Sequence, residues 1–234
     1  MKIKIQRDEN LVEYETGLES ATLLEVLIDI KHHSDKSLAF SSGCRSSVCG
    51  SCSMRVNDVE VLACSYKVQN GDVITPLNNM PVVRDLVVDM EKAYSFNKKA
   101  KAWLSTLSSG VALDGSDEKA NELQSDCILC GSCYSACPVY AVNGEFIGPF
   151  SLTRAWKYVS DKRENTEQEK LGELQQDGIW DCTLCNNCTV VCPQNISSKA
   201  DIEKLRMKSA QYGFMDPNFS SFGGGFGFDG SPSF

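Results

Sequence analysis

The sequence predicts an α+β protein in two parts: a small sheet that wraps one helix, followed by a mostly helical part. Two observations predict this. Short alternating segments flank a single amphipathic helix between residue 1 and about residue 80, whereas residues 122–212 favour short helices. The chain has 234 residues, so it is long enough to bury an apolar core in both parts.

The first part is predicted to begin with two half-buried strands. Ile3 and Ile5 alternate with polar residues in the first strand, and Val12 and Tyr14 do so in the second. The polar run at residues 8–10 predicts a turn between them.

One helix and three further strands complete the predicted sheet domain. Thr22 and Glu25 have the spacing of a capping box, so we expect a helix to begin there. Strands are predicted at residues 54–56, 59–62 and 73–75, which turn-forming residues separate.

A second helix is predicted to begin at Pro81 and to extend to about Leu104, because apolar residues recur at helical spacing. We expect this helix to bridge the two parts. Further helices are predicted near residues 151–161, 164–176 and 199–211.

These elements divide the chain into four segments. We expect the first domain, with its trailing helix, at 1–104, and a polar, turn-rich linker at 105–121. The helical domain is expected at 122–212. The tail at 213–234 repeats Phe, Gly and Ser without periodicity, so we expect it to be disordered unless it orders against a partner.

Composition and charge exclude several classes of protein. The formal net charge is -8, with 23 Lys and Arg against 31 Asp and Glu, so no nucleic acid is expected as a partner. No run reaches the ~18 apolar residues of a membrane span. Residues 1–6 lack the apolar core of a signal peptide, so we expect the chain in the reducing cytoplasm.

Cysteine is the most informative residue type, with 12 copies that fall into three groups of four. The first group is Cys44, Cys49, Cys52 and Cys64. Its spacing matches the plant-type ferredoxin run with a distant fourth ligand, and therefore predicts a [2Fe-2S] cluster.

The other two groups share the spacing of bacterial two-cluster ferredoxins, in which each run lends its last cysteine to the cluster of the other run. A proline follows the last cysteine of both runs. The exchange assigns one [4Fe-4S] cluster to Cys127, Cys130, Cys133 and Cys192. It assigns the second [4Fe-4S] cluster to Cys137, Cys182, Cys185 and Cys188.

Other uses of the cysteines are disfavoured. A four-thiolate zinc site does not use triplets with a trailing Cys-Pro, and disulfides are rare in a reducing compartment. No cysteine is left over as a catalytic nucleophile, and we predict no catalytic residue elsewhere in the chain. Arg45 either orients an electron acceptor or neutralises thiolate charge, and the second role is favoured.

The whole arrangement resembles the iron-sulfur subunit of the succinate dehydrogenase and fumarate reductase family, from residue 1 to about residue 212. The resemblance rests on the three cysteine runs and on the Glu-Phe-Ile-Gly-Pro segment at residues 145–149, which is not a metal motif. It implies a β-grasp plant-type ferredoxin domain followed by an all-α bacterial two-cluster ferredoxin-like domain. It also implies an electron-transfer subunit without a substrate site, with FAD in a separate flavoprotein subunit.

The resemblance further implies an order for the three centres. The [2Fe-2S] domain would face the flavoprotein, and the Cys127 cluster would lie in the middle. The Cys182 cluster would face a membrane-anchor subunit and, through it, a quinone. The chain would then be peripheral, on the cytoplasmic side of the inner membrane.

Two departures from common family members are expected to change the partner. The third centre is [3Fe-4S] in common members, because an apolar residue stands where this chain has Cys185; here a [4Fe-4S] cluster is predicted. Thr183 and the residues at 139–141 replace the usual quinone-pocket residues. The extra cysteine resembles the non-classical branch, whose anchor carries CCG domains and whose members use menaquinone-type quinols or thiols.

Alternatives remain open from the sequence. The chain could be a free-standing carrier, or it could serve a different flavoenzyme such as a glycolate oxidase or a thiol-dependent fumarate reductase. The same three centres carry electrons in both directions, so the sequence does not choose between succinate oxidation and fumarate reduction.

Overall fold

A computed structural model describes residues 1–105, 108 and 110–217, so most of the predicted disordered tail lies outside the described residues. The strands are β1 (Lys2–Arg7), β2 (Asn10–Glu15), β3 (Ser53–Val56), β4 (Val59–Leu62), β5 (Val73–Thr75), β6 (Val82–Arg84) and β7 (Val87–Val88). The helices are α1 (Leu23–His33), α2 (Glu91–Lys99), α3 (Gly115–Ser125), α4 (Ser132–Ser135), α5 (Pro138–Val142), α6 (Pro149–Val159), α7 (Glu167–Glu173), α8 (Asn187–Val190) and α9 (Ser198–Gln211).

The first five strands form one sheet in the order β2-β1-β5-β3-β4. The central pair, β1 and β5, is parallel and aligns Ile5 with Ile74, while the other pairs are antiparallel. Helix α1 covers one face and buries Leu27 and Ile30 in the same core as Ile5 and Ile74. The sheet around one helix is therefore confirmed.

The capping box of α1 is also confirmed. The Thr22 hydroxyl accepts a hydrogen bond of 3.3 Å from the Glu25 amide, and the Glu25 carboxylate accepts one of 2.7 Å from the Thr22 amide. These bonds satisfy amide groups that would otherwise lack partners at the start of the helix.

The predicted long helix from Pro81 is wrong over its first ten residues. A hairpin of β6 and β7 occupies this stretch, and α2 begins only at Glu91. Asp85 adopts a φ of +49°, which ends any helix there. Its carboxylate accepts hydrogen bonds of 2.8 Å from Arg7 and from the Ala39 amide, so tertiary contacts hold this conformation.

The second part is helical, as predicted, and α6, α7 and α9 correspond to the three helices expected there. The prediction missed α3, which begins inside the proposed linker. A capping box of Asp114 and Asp117 starts this helix. Ala93 and Phe96 of α2 pack into the core of the helical part, next to α6.

No helix in the described part of the chain is long and apolar enough to span a membrane.

Candidate metal centres

The loop that carries the first cysteine group turns its backbone amides toward sulfur. Arg45 and Ser47 both have a φ of 60°, in the left-handed region. As a result the amides of Ser46 and Val48 lie 3.3 and 3.4 Å from the Cys44 sulfur and donate hydrogen bonds to it. Amides directed at a ligand sulfur in this way are a means by which a protein tunes the potential of an iron-sulfur cluster.

The remaining thiols of this group differ in environment. Hydrogen bonds from the Ser51 hydroxyl and the Cys44 amide lower the pKa of Cys49 to about 6. Burial raises the pKa of Cys52 to about 11. Gly43 leaves room for the ligand loop, because a Cβ at this position would lie only 3.0 Å from the Cys49 sulfur.

The second group of cysteines and the distant Cys192 meet around one cavity. Its sulfur-bearing walls are Cys127, Cys130, Cys133 and Cys192, and the remaining walls include Phe150, Thr153 and Ile196. This is the set that the exchange of last cysteines predicts. The folded chain therefore brings together residues from two runs about fifty-five positions apart.

The environment of this cavity makes it unfavourable for its thiols to lose their protons together. Burial raises the pKa of Cys127 to about 11, and Cys130 and Cys192 add to the shift. Burial also raises the pKa of Cys133 well above its usual value, with Cys130 and Cys127 acting in the same direction. Four thiolates are stable here only with compensating cationic charge, which the irons of a cluster supply.

The third set also assembles from two runs. Burial raises the pKa of Cys188 to about 12, with further contributions from Cys182, Cys137 and Cys185. The pKa of Cys137 rises for the same reasons, because it is buried and lies near Cys182 and Cys185. Cys185 is the exposed member of this set.

The two cysteine runs of the helical part have the same backbone conformation. Leu129 and Gly131 have φ values of +53° and +84°, and they flank Cys130. Leu184 and Asn186, fifty-five residues later, have φ values of +55° and +74° and flank Cys185. A four-residue helix follows in both runs, α4 and α8.

The three sets of cysteines lie next to one another. Gly50 of the first loop touches Cys130, since a Cβ on Gly50 would lie 2.8 Å from the Cα of Cys130. The side chain of Gln194 donates a hydrogen bond of 3.0 Å to the carbonyl of Ser47. Cys188 of the third set also lies close enough to Cys133 of the second set to raise the pKa of Cys133.

Arg206 supports the third set, and sequence reasoning missed it. Its guanidinium donates hydrogen bonds of 2.8 Å to the Ile179 carbonyl and 2.6 Å to the Cys182 carbonyl. It also lowers the pKa of Cys182, although burial, the larger effect, raises it. No sequence motif marks an arginine that acts through carbonyls of a distant segment. Gln194 lacks such a signal too.

Within the described residues no three His, Cys, Asp or Glu side chains lie close enough to hold a single metal ion. Ligands of an iron-sulfur cluster bind different irons, so their sulfurs surround a larger volume. The buried thiols, the amides directed at sulfur and the cysteine-lined cavity fit iron-sulfur clusters on these grounds.

The fold and the three cysteine sets define an iron-sulfur protein with a sheet domain and a helical two-cluster domain. Comparison with known families agrees. Residues 2–95 match a 2Fe-2S iron-sulfur cluster binding domain, and residues 123–196 match a 4Fe-4S dicluster domain.

Individual relatives give the family. The chain is 35% identical to the 8-methylmenaquinol:fumarate reductase iron-sulfur subunit of Wolinella succinogenes, covering 91% of this chain and 74% of that protein. It is 35% identical to the fumarate reductase iron-sulfur subunit of Escherichia coli, over 85% of both chains. A mitochondrial succinate dehydrogenase iron-sulfur subunit of Oryza sativa is 36% identical, over 79% of this chain and 63% of that protein.

The fold has a counterpart among solved structures. A chain of the Mycobacterium smegmatis Sdh1 complex in the apo form matches with a TM-score of 0.79 and 21% identity, over 90% of this chain and 95% of that one. The α+β fold with an N-terminal sheet domain and a helical second domain is thereby confirmed.

The chain belongs to the family of fumarate reductase and succinate dehydrogenase iron-sulfur subunits. It is an electron-transfer subunit of an oxidoreductase, with a [2Fe-2S] cluster and [4Fe-4S] clusters, while FAD belongs to another subunit. Family members work in complexes that also include a flavoprotein and a membrane anchor.

Proposed function

We propose that this chain carries electrons through three clusters in series, held by the three predicted ligand sets. The [2Fe-2S] cluster is bound by Cys44, Cys49, Cys52 and Cys64. The first [4Fe-4S] cluster is bound by Cys127, Cys130, Cys133 and Cys192. The second is bound by Cys137, Cys182, Cys185 and Cys188. When bound, the clusters accept and release single electrons; the chain holds them, insulates them and tunes their potentials.

The observation that carries this proposal is the repeated conformation of the two cysteine runs. Cys130 and Cys185 both lie between two residues whose backbone is in the left-handed region. A short helix begins directly after the second of these residues in each run. A residue in this position of the first run lines the cluster cavity. Cys185 therefore has the backbone position of a ligand, which supports a [4Fe-4S] third centre rather than [3Fe-4S].

The order of the centres is supported by exposure and contact. Cys44 and Cys185 are exposed, whereas Cys133 of the middle set is buried and lies near Cys188 of the third set. Electrons would enter at one exposed end, cross the buried middle site and leave at the other. We infer that the Cys44 end meets the flavoprotein and that the Cys185 end meets the membrane anchor.

The partner at the Cys185 end is proposed from chemistry and from one relative. An additional thiolate adds negative charge to the third centre, which favours a lower potential. The relative from Wolinella succinogenes is named for 8-methylmenaquinol and fumarate. We infer fumarate reduction with electrons from a low-potential quinol, through an anchor of the CCG type on the cytoplasmic face of the membrane.

The test is iron analysis combined with EPR of the purified complex, prepared anaerobically and oxidised gently. We expect about ten irons per chain and no stoichiometric [3Fe-4S] signal. A strong [3Fe-4S] signal with about nine irons would exclude Cys185 as a ligand.

A substitution sharpens the test. Cys185→Val should create a [3Fe-4S] signal while the other two centres remain. Cys130→Val, at the matching position of the first run, should alter the middle centre instead. Recovery of the visible absorption of the reduced complex on adding fumarate, but not on adding glyoxylate, would separate this function from that of a glycolate oxidase partner, because iron-sulfur clusters regain their colour when they are oxidised.

A further inference from the structure

A buried carboxyl, Asp201, lies near the middle cluster site and belongs to no ligand set. Asp201 is on α9 and is 1% exposed. Its Oδ1 accepts a hydrogen bond of 2.8 Å from the Gln124 amide group. Its Oδ2 has no hydrogen-bond partner in the part of the chain that the structure describes. A buried carboxylate with one unsatisfied oxygen is costly in free energy.

Thr153 connects Asp201 to the cavity of the middle site. Thr153 lies on α6 and lines the cavity formed by Cys127, Cys130, Cys133 and Cys192. Its buried hydroxyl also lacks a hydrogen-bond partner among the described residues. The same hydroxyl nevertheless lies close enough to Asp201 to act as a weak donor to the carboxylate and to lower its pKa, although the contact lacks the geometry of a full hydrogen bond. One side chain thus separates the carboxyl from the wall of the cluster site.

The groups that face Asp201 come from three helices. Gln124 on α3 and Thr153 on α6 are uncharged. Lys204, one turn further along α9, has its Nζ 3.6 Å from Oδ1, and its side chain is 41% exposed. The ammonium group also lies over the ring of Trp156, another α6 residue. Burial raises the pKa of Asp201, and Gln124, Lys204 and Thr153 oppose that shift without cancelling it.

We propose that Asp201 binds one proton when the middle cluster site gains an electron, and releases it when the electron leaves. The proposal rests on the ligand set proposed above for the middle site. The electron comes from the neighbouring centre. The proton comes from solvent, which reaches the carboxyl on the side of the partly exposed Lys204 side chain. The bond formed is the O–H bond of the carboxyl.

The physical reason is electrostatic. An added electron places a negative charge in the cluster site, on the far side of Thr153 from the Asp201 carboxylate. These two negative charges repel strongly, because they are close together in a poorly solvated interior. The protonated carboxyl relieves this repulsion. A proton on Oδ2 also turns this oxygen into a donor, and the Thr153 hydroxyl, which can accept as well as donate, is the polar group next to it. By linkage, the proton stabilises the reduced site as much as the electron stabilises the protonated carboxyl.

The test is an EPR-monitored redox titration of the complex at a series of pH values. The midpoint potential of the middle cluster should fall with rising pH. The limiting slope is 59 mV per pH unit, which corresponds to a tenfold change in the equilibrium for each unit. Asp201→Asn keeps the size of the side chain and should remove the slope. Glu203→Gln, on the exposed side of the same helix, should keep it.

A second readout does not depend on a folded variant. Infrared difference spectra of the reduced and oxidised wild-type complex should show a protonated carboxyl band that appears on reduction. A pH-independent potential with all three clusters present would overturn the role of Asp201 and leave the ligand sets intact.

The ligand set of the middle cluster is tested separately. Loss of the middle-cluster signal in Cys192→Ser but retention of it in Cys137→Ser supports the ligand set; the reverse pattern would overturn that set instead.

Discussion

The backbone of Gly50 lies directly against Cys130. A Cβ on Gly50 would lie 2.8 Å from both the Cα and the Cβ of Cys130, and 2.9 Å from the carbonyl oxygen of Ile128. Gly50 also has a φ of +72°, which disfavours any other residue. The loop of the sheet domain and the first cysteine run of the helical domain therefore pack against each other without room for a side chain at Gly50.

Gly50→Ala should force these two loops apart. We expect a lower yield of the middle cluster and slower electron transfer from the [2Fe-2S] centre, because a methyl group replaces direct backbone contact. Stopped-flow reduction of the complex, followed by EPR on samples frozen at successive times, measures both.

Gly71→Ala is the matched control for this substitution. Gly71 has a φ of +91° but no atom within 4 Å of its would-be Cβ, so it has the backbone strain without the contact. If both variants behave alike, strain and not the close approach determines the effect.

Gly148 and Tyr134 form a second close contact, between the Phe-Ile-Gly-Pro segment and the residue that follows Cys133. Gly148 has a φ of +84°, and its would-be Cβ would overlap the Tyr134 ring. The Tyr134 hydroxyl donates a hydrogen bond to the Ile147 carbonyl and accepts one from the Ser151 hydroxyl, at 3.1 Å. Tyr134 is buried and lies near Cys133 and Cys137, which belong to two different proposed ligand sets.

Gly148→Ala should displace Tyr134 and reduce the iron content at both [4Fe-4S] sites. Gly213→Ala is the control, because Gly213 has a φ of +82° but no atom within 4 Å of its would-be Cβ. Iron and sulfide analysis of both variants measures the difference. Full iron content in Gly148→Ala would contradict the role given to this contact.

Sequence patterns predicted the local features of this fold well. The cysteine spacings predicted three ligand sets, of which the folded chain places one around a single cavity, and the Thr22–Glu25 capping box correctly marked the start of α1. Asp114 and Asp117 carried the same kind of signal for α3, which the polar composition of the segment obscured. The spacing within one cysteine run and each capping box depend on residues a few positions apart, whereas the meeting of the two runs follows the exchange pattern of two-cluster ferredoxins.

Features that depend on tertiary contacts were not predictable. The apolar spacing after Pro81 fits a helix, yet Asp85 breaks it because Arg7, from β1, binds its carboxylate. The contacts of Gln194 with Ser47 and of Arg206 with the Cys182 carbonyl join segments far apart in sequence. Nothing in the local sequence around these residues shows what they will meet.

Asn79 ties the sheet domain to the short helix between the two [4Fe-4S] sites. Its side-chain amide donates to the carbonyls of Tyr134, Ser135 and Cys137, at 3.0, 2.8 and 3.3 Å. Asn79→Asp keeps the shape but replaces the donor with a negative acceptor that faces three carbonyl oxygens. We expect the free energy of unfolding to fall by about 1–3 kcal/mol and the melting temperature to fall by several degrees.

The pH dependence of this variant provides a further check. Protonation of the new carboxyl restores a donor, so the deficit of Asn79→Asp should shrink toward acidic pH. Asn70→Asp is the control, because Asn70 accepts a hydrogen bond from the Lys2 amide at 2.8 Å and an aspartate keeps that role. Thermal unfolding of both complexes, at matched cluster content, measures the effect.

Lys170 and Glu164 form a fully buried ion pair that fastens the segment before α3 to the helical domain. Their charged atoms are 2.9 Å apart, and both side chains are at most 1% exposed. Lys170 also donates to the carbonyls of Lys101 and Trp103. Burial raises the pKa of Glu164, but hydrogen bonds from Thr166, from the Ser105 amide and from Lys170 outweigh it and lower the pKa to about 2.

Removing one partner of the ion pair should destabilise the protein far more than replacing both partners with uncharged residues. Lys170→Met leaves the Glu164 charge buried without its cation, and we expect a loss of about 3–5 kcal/mol. The double variant Glu164→Gln with Lys170→Met should recover much of it, since no buried charge remains. Thermal unfolding of the three complexes measures this; a double variant as unstable as the single one would mean that the lost carbonyl contacts, not the charge, determine the effect.

The sign of the pH dependence follows from the lowered pKa of Glu164. The wild-type pair contributes its full stabilisation above the ordinary glutamate pKa and loses it as pH falls toward about 2, where the folded protein also takes up the proton. In the double variant Gln does not titrate, so this part of the acid sensitivity should disappear. The stability difference between wild type and double variant should therefore narrow or reverse between about pH 4 and pH 2, and a constant difference would assign the acid sensitivity to other groups.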